Sequence, residues 1–167
     1  SLPLDRLEGL QDLRERATRI AQEQSFFHWP LEYPQVFKDS GGFDCILGNP
    51  PWETLELKEK EFFQAKDSEI VTADTQSKRR ELIAELEETN PDLYNRYIQR
   101  KERIQSQSEF VSNSGRYPFT GQGKINLYAP FTEHALTCIA ENGKSGIIVP
   151  TGISTDYNTR DFFAEII

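Results

Sequence analysis

One junction in the chain, between a short apolar run and a proline-rich loop, limits the possible folds most. Residues 42–48 have the sequence Gly-Phe-Asp-Cys-Ile-Leu-Gly and are followed at once by Asn49, Pro50, Pro51 and Trp52. A short apolar run of this kind predicts a buried strand. In α/β proteins, the loops at the carboxyl ends of parallel strands hold ligands. The junction therefore predicts an α/β protein with a functional loop directly after this strand.

The tetrapeptide Asn-Pro-Pro-Trp resembles the catalytic motif of methyltransferases that modify a planar amine, above all the exocyclic amine of adenine in DNA. The lone pair of that amine is delocalised into the ring, so it is a poor nucleophile. The side-chain carbonyl of Asn49 and the main-chain carbonyl of Pro50 are two acceptors for its two N–H groups. Pro50 and Pro51 have fixed φ angles and stiffen the loop, and rigid acceptors are what preorganised catalysis needs.

Trp52 completes the proposed base pocket, because an indole ring can stack on a nucleobase. Such a contact is worth about 1–3 kcal/mol. A base inside a duplex cannot reach the loop, so it must be flipped out at a cost of a few kcal/mol. The plainer interpretation of residues 49–52 is a proline-rich turn after a strand. The position of the motif directly after an apolar run favours the methyltransferase interpretation.

Composition limits the partners and the compartment. The net charge of −8 argues against this chain being the main DNA-gripping surface, since phosphate binding needs clustered Lys and Arg. We expect Cys45 in the strand and Cys138 on a helix to be free core thiols in a reducing, cytoplasmic compartment. Two cysteines are too few for a cysteine-based metal site. No apolar run is long enough to span a membrane, and there is no signal-peptide pattern.

The pattern along the chain predicts four segments of one methyltransferase domain. Residues 1–42 contain an amphipathic helix over 4–24, expected to pack on the rest of the protein, and then an extended, aromatic connection over 26–37. Residues 43–54 hold the catalytic strand, over 43–48, and its loop. Residues 55–112 form a helical hairpin inserted after the loop. Residues 113–167 contain a loop, a helix over about 126–141, a second buried strand over 145–149 and the start of another helix.

The helical insertion has clear boundary signals. Asp74 or Thr75 is suited to cap a helix that runs to about Thr89, and Asn90 with Pro91 starts the next one. The basic clusters at 78–80 and 100–103 are solvated helix faces or, alternatively, DNA contacts. Because a helix lies in the connection between the two predicted strands, the strands are expected to form a parallel pair. Asn49 and Thr151 are therefore expected as neighbours at one sheet edge.

Several segments together resemble the adenine-specific DNA methyltransferase domain of large restriction–modification enzymes of the Type IIG group and related phage-defence methylases. The matching segments follow the family's order and are residues 27–34, 42–52, 114–118 with 126–129, and 146–153. The resemblance implies a doubly wound parallel sheet that binds S-adenosylmethionine. It also implies that Asn49 and the Pro50 carbonyl hold the amine, that Trp52 stacks on the flipped adenine, and that Tyr128 and Thr151 lie near the substrate.

The chain departs from the family at the cofactor. The glycine-rich loop for S-adenosylmethionine and the acidic residue for its ribose, which lie upstream of the Asn-Pro-Pro motif in the family, are absent from this sequence. We therefore expect the catalytic half of a methyltransferase domain, cut from a larger protein whose other parts are its partners, with double-stranded DNA as substrate. The alternatives are a methyltransferase acting on an RNA base or a protein glutamine, and a non-catalytic helical interaction module with a degenerate loop.

Overall fold

The computed structural model describes residues 4–24 and 27–166, which are mainly helical around one small sheet. In chain order the elements are α1 Leu4–Gln24, α2 Trp29–Glu32, α3 Pro34–Asp39, β1 Phe43–Gly48, α4 Glu59–Phe63, α5 Ser68–Thr72, α6 Gln76–Thr89, α7 Pro91–Asn113, α8 Tyr128–Thr137, β2 Ile139–Ile147, α9 Gly152–Thr155, a 3₁₀ turn Tyr157–Thr159 and α10 Arg160–Ile166. No helix among these described residues is long and apolar enough to cross a membrane.

Strands β1 and β2 are neighbours and run parallel, as the sequence predicts. Gly48 pairs with Ile147 at the carboxyl end, and the N–H of Ile148 donates to the carbonyl of Gly48 at 2.9 Å. Both strands therefore end at one edge of the sheet, and Asn49 and Thr151 follow them there. This parallel pair among helices is compatible with a methyltransferase-like α/β fold.

The second strand differs from its predicted bounds of 145–149. Helix α8 ends at Thr137, earlier than predicted, so β2 begins at Ile139 and continues to Ile147. The Asn-Gly pair expected to end the helix lies instead in an irregularity of β2, between the partners of Phe43 and Cys45. A side chain at Gly143 would place its Cβ 2.7 Å from the Phe43 carbonyl oxygen. The Asn-Gly pair therefore lies at an irregularity within β2 and does not end α8.

The prediction that both strands are buried is wrong. Leu47 is 79% exposed and Ile148 is 62% exposed. Cys45, expected in the core, is exposed, whereas Cys138 is buried at the end of α8. An apolar run is buried only where other layers cover it; α8 packs against β2 but leaves Leu47 and Ile148 exposed. The sheet is therefore covered over only part of its surface.

The connection predicted as extended over 26–37 is mostly helical, because α2 and α3 occupy most of it; Phe26 lies outside the described residues. Pro30 and Pro34 fall in the first turns of α2 and α3, where a missing N–H does no harm. The rings of Trp29, Tyr33 and Phe37 lie 5.5, 5.7 and 5.4 Å from that of Phe43. This aromatic cluster fixes the start of β1.

Helix α1 forms where the spacing predicts it, but the expectation that it packs on the protein is wrong for its described side chains. Leu10, Leu13 and Ile20 are 55%, 58% and 45% exposed. Apolar spacing is enough to predict a helix, whereas burial also needs a facing surface.

The insertion after the loop is helical and has its own buried core. Thr75 caps α6 by accepting the Lys78 N–H at 3.1 Å, and Asn90 caps α7 by accepting the Leu93 N–H at 3.2 Å. Its buried core is made by Phe63, Ile70, Leu82, Ile83, Leu86, Leu93 and Tyr97. A second cluster, of Tyr128, Ala129, Ile153 and Phe162, lies under the loop that follows β2.

Candidate active site

The Asn-Pro-Pro-Trp loop leaves β1 at the carboxyl edge of the sheet with its acceptors free. Asn49 and Pro51 are exposed, and Pro50 is half-buried. Among the described residues, no group hydrogen-bonds to the side chain of Asn49 or to the carbonyl of Pro50. Consecutive prolines hold this main chain without help from a ladder. The loop thus presents two unoccupied acceptors to solvent on a stiff support.

Trp52 is exposed and at the same time anchored. Its indole Nε1 donates to the main-chain carbonyl of Ile148 at 3.3 Å, and the residue is 53% exposed. This hydrogen bond joins the loop after β1 to the first residue after β2. One edge of the indole is therefore held by the protein, while much of the ring remains accessible to a planar ligand.

The segment after Trp52 is tied to the chain that enters α8. The carbonyl of Glu53 accepts the Leu127 N–H at 2.8 Å, and the Leu55 N–H donates to the Ile125 carbonyl at 2.9 Å. Between them, Thr54 and Asn126 form an antiparallel bridge. These contacts place the loop directly beside the N-terminus of α8.

Tyr128 is the first residue of α8 and is buried, with 3% exposed. Its hydroxyl lies near the carboxylate of Asp156 and the side chain of Asn126. Burial raises the pKa of the Tyr128 hydroxyl, and the negative charge of Asp156 raises that pKa further. The Tyr128 ring packs in a buried cluster with Ala129, Ile153 and Phe162.

Thr151 is exposed and precedes the short helix α9. Its carbonyl accepts hydrogen bonds from the hydroxyls of Ser154 and Thr155 at 2.9 and 3.3 Å. A Cβ on the next residue, Gly152, would lie 2.7 Å from Asp156 Oδ2 and 3.0 Å from the Tyr128 hydroxyl oxygen, so a larger residue there would have to displace the Asp156 side chain. The loop that carries Thr151 is thus packed directly against the Tyr128–Asp156 pair.

These contacts bring the predicted site residues into one region. Asn49, Pro51, Trp52 and Thr151 are exposed, whereas Tyr128 is buried. Sequence reasoning missed three polar residues that organise this region: Asn126, Glu133 and Asp156. A glutamate within the apolar stretch of α8 was the available signal for Glu133, since a charge at a core position requires partners.

A cleft of about 420 Å³ lies beside the loop, between residues 53–58 and helix α7. Its lining combines apolar groups such as Phe62 and Ile104 with ionic ones such as Glu53 and Arg100. The insertion thus forms a wall next to the Asn-Pro-Pro-Trp loop. No group of His, Cys, Asp and Glu in the described part of the chain is arranged to hold a metal ion.

Comparison with protein families identifies the larger part of this chain. The family model described as Eco57I restriction-modification methylase matches residues 3–112, which include the strand, the Asn-Pro-Pro-Trp loop and the insertion. No curated protein and no solved structure matches the chain.

Proposed function

The chain belongs to the Eco57I restriction-modification methylase family, and from that premise we propose that it methylates the N6 amine of adenine in double-stranded DNA. The observation that supports this proposal most directly is a pair of unoccupied hydrogen-bond acceptors on a stiff exposed loop, namely the Asn49 side chain and the Pro50 carbonyl. Two acceptors at fixed positions suit the two N–H groups of an amine. Bound there, the amine loses conjugation with its ring and becomes a nucleophile.

Trp52 has the properties that a base-stacking residue needs. Its Nε1 hydrogen bond to Ile148 limits its motion, so little conformational entropy is lost when a base stacks on it. Its exposed ring offers a planar apolar surface next to the acceptors. We infer that the adenine leaves the duplex and stacks on Trp52 while Asn49 and Pro50 hold its amine.

Methyltransferases generally use S-adenosylmethionine as the methyl donor, and we propose it as the cofactor here. The described residues do not fit the task of holding it. The element before β1 is the helix α3, and no strand followed by a glycine-rich turn and a helix precedes it among residues 4–24 and 27–42. We therefore assign the amine-binding half of the reaction to this chain, and we propose other parts of the same polypeptide as the partners that bind the cofactor.

The test is methyl transfer by the intact polypeptide to duplex DNA with tritiated S-adenosylmethionine, followed by identification of the modified base. We expect N6-methyladenine. Asn49→Ala should lower the single-turnover rate by at least about 10²–10³, because one preorganised acceptor is lost, while DNA affinity at fixed salt stays near the wild-type value. The matched control is Asn95→Ala, which removes an exposed amide from α7.

Other outcomes of this test identify the alternatives. Transfer to an RNA base or to a glutamine peptide, but not to duplex DNA, would show the same chemistry on a different substrate. An Asn49→Ala variant with normal single-turnover rates would make residues 49–52 a structural turn. No transfer to any of these substrates would favour a non-catalytic interaction module.

A further inference from the structure

We propose that three side chains of α7, the arginine row Arg96, Arg100 and Arg103, bind phosphates of the DNA duplex next to the flipped base. The inference rests on the proposed function, because that function places a duplex at the Asn-Pro-Pro-Trp loop. It adds a phosphate-binding surface that lies outside this loop, on the helical insertion.

The arginine row lies on one side of α7. Its members are separated by four and three residues, a spacing that puts side chains next to one another along a helix. At 1.5 Å per residue the row is about 10 Å long. All three arginines are exposed, whereas Leu93 and Tyr97 of the same helix are buried in the core of the insertion. The row therefore forms a continuous basic surface beside that core.

The arginine row has no acidic partner among the residues that the structure describes. The other predicted basic cluster, at 78–80, differs in this respect. Lys78 pairs with Glu81 at 3.6 Å, and Arg79 pairs with Glu59 at 3.8 Å. The chain has 27 acidic and 19 basic residues, so three neighbouring cations without an acid are not the result of a general excess of base. The charge of the row is available to an external anion.

The arginine row borders the cleft beside the Asn-Pro-Pro-Trp loop. Arg100 and Gln107, which are seven residues apart and on the same side of α7, both line this cleft. Glu53 lines it from the other direction and directly follows Trp52. Because the strand of a flipped base continues in both directions from that base, its phosphates pass over the surface around the loop. The row belongs to this surface through Arg100.

The carboxylates of the cleft favour phosphate contacts outside it. Two of its three glutamates have their own cation, since Glu56 pairs with Lys124 at 2.8 Å and Glu61 pairs with Lys58 at 3.1 Å. The third is Glu53. A phosphate inside the cleft would meet all three, whereas one on the exposed arginine row would meet guanidinium groups, which bind phosphate through two parallel hydrogen bonds. The net charge of −8 makes such a local basic surface decisive for where the duplex lies.

The test is the salt dependence of DNA binding by the intact polypeptide, measured by fluorescence anisotropy with a fluorescein-labelled duplex. In the triple variant, all three arginines of the row are replaced by glutamine. Each lost phosphate contact lowers the slope of log K against log salt concentration by about 0.9, so the triple variant should lower it by about 2–3. Its affinity at low salt should fall by about tenfold or more.

Lys101→Gln is the matched control for Arg100→Gln. Lys101 is exposed and adjacent in sequence, but it points about 100° around the helix from Arg100. Arg100→Gln should lower the salt slope by about 0.9, whereas Lys101→Gln removes the same charge and should leave the slope near the wild-type value. Arg100→Lys keeps the charge and should retain most of the slope.

A second measurement separates binding from chemistry. With genomic DNA and tritiated S-adenosylmethionine, the triple variant should show a higher KM and an unchanged kcat, because phosphate contacts hold the duplex and do not act on the amine. The urea denaturation midpoint should also stay at the wild-type value, since the arginine row is exposed.

The proposal is overturned if the triple variant keeps the wild-type salt slope, or if Lys101→Gln lowers the slope as much as Arg100→Gln does. An unchanged slope with a lower urea midpoint would show that the row contacts another part of the polypeptide. An unchanged slope with lost binding to single-stranded RNA would assign the row to RNA. A wild type that methylates nothing would remove the proposed function while the salt slope still decides on the row, whereas a methylating wild type with an unchanged slope in the triple variant would remove only this inference.

Discussion

Glu133 and Thr120 are joined by two hydrogen bonds inside the protein: the carboxylate accepts the Thr120 N–H at 2.9 Å and the Thr120 hydroxyl at 2.5 Å. The other carboxylate oxygen accepts the Phe119 N–H at 3.2 Å. Glu133 is only 5% exposed, so α8 holds the preceding loop by a buried carboxylate with three donors. The loop that leads into the site is thereby fixed to the helix beneath the site.

Glu133→Gln should destabilise the protein, because one oxygen is replaced by an NH₂ group that cannot accept a hydrogen bond. Buried donors left without a partner cost about 1–3 kcal/mol. Urea denaturation should therefore show a lower midpoint than for the wild type. Glu141→Gln, at an exposed position in β2, is the control and should leave the midpoint unchanged. Equal midpoints for the two variants would contradict the role of Glu133.

Trp52→Phe should separate the contribution of base stacking from that of the hydrogen bond that holds the indole ring. Phenylalanine keeps an aromatic face but loses the Nε1 donor to Ile148, a hydrogen bond worth about 0.5–1.5 kcal/mol. We expect weaker seating of the flipped base and a slower single-turnover rate than in the wild type. Trp52→Ala loses the ring as well and should weaken base binding by about 1–3 kcal/mol. A base analogue that fluoresces when unstacked measures this step, and equal signals for the Ala variant and the wild type would exclude stacking on Trp52.

Stability should fall at alkaline pH through Tyr97. Burial, followed by the hydrogen bond to Glu59, raises the pKa of Tyr97 from 10.0 to about 12. The stabilisation of the folded state by the neutral hydroxyl is therefore fully present below pH 10, and it is lost as the pH rises toward 12. Thermal denaturation between these limits should show a steeper loss for the wild type than for Tyr97→Phe.

The pKa values of Tyr117 and Tyr128 are shifted in the same direction as that of Tyr97, because burial raises each of them. They therefore contribute to the alkaline loss in the wild type and in Tyr97→Phe alike. Only the difference between the two melting curves reports on Tyr97. Parallel curves over the whole interval would show that this hydroxyl does not stay neutral in the folded insertion.

The 167-residue chain by itself should bind S-adenosylmethionine weakly. The described elements before β1 are the helices α1, α2 and α3, which provide no glycine-rich turn after a strand. Isothermal titration calorimetry with the purified chain should detect no binding in the micromolar range. A dissociation constant near 1 µM, about −8 kcal/mol, would show that other residues of this chain form a cofactor site.

The sequence by itself was sufficient for the long helices of the insertion and for the position of the candidate catalytic loop, but not for α2, α3 or the bounds of β2. Apolar spacing and capping residues such as Thr75 and Asn90 act within a few residues, so they predicted α6 and α7 correctly. The parallel pairing of β1 with β2 also followed, because a helix lies between two apolar runs. Asn49, Pro50, Pro51 and Trp52 were recognisable because their chemistry lies in four consecutive residues.

Burial and long-range polar contacts were decided only by the tertiary structure. The same apolar composition predicts a buried Leu47 and a packed α1, yet both are exposed, since burial depends on a facing element rather than on the residue itself. The hydrogen bond between Trp52 and Ile148 joins residues 96 positions apart. Local patterns carry no information on such pairs, because only the three-dimensional path of the chain brings a donor to its acceptor.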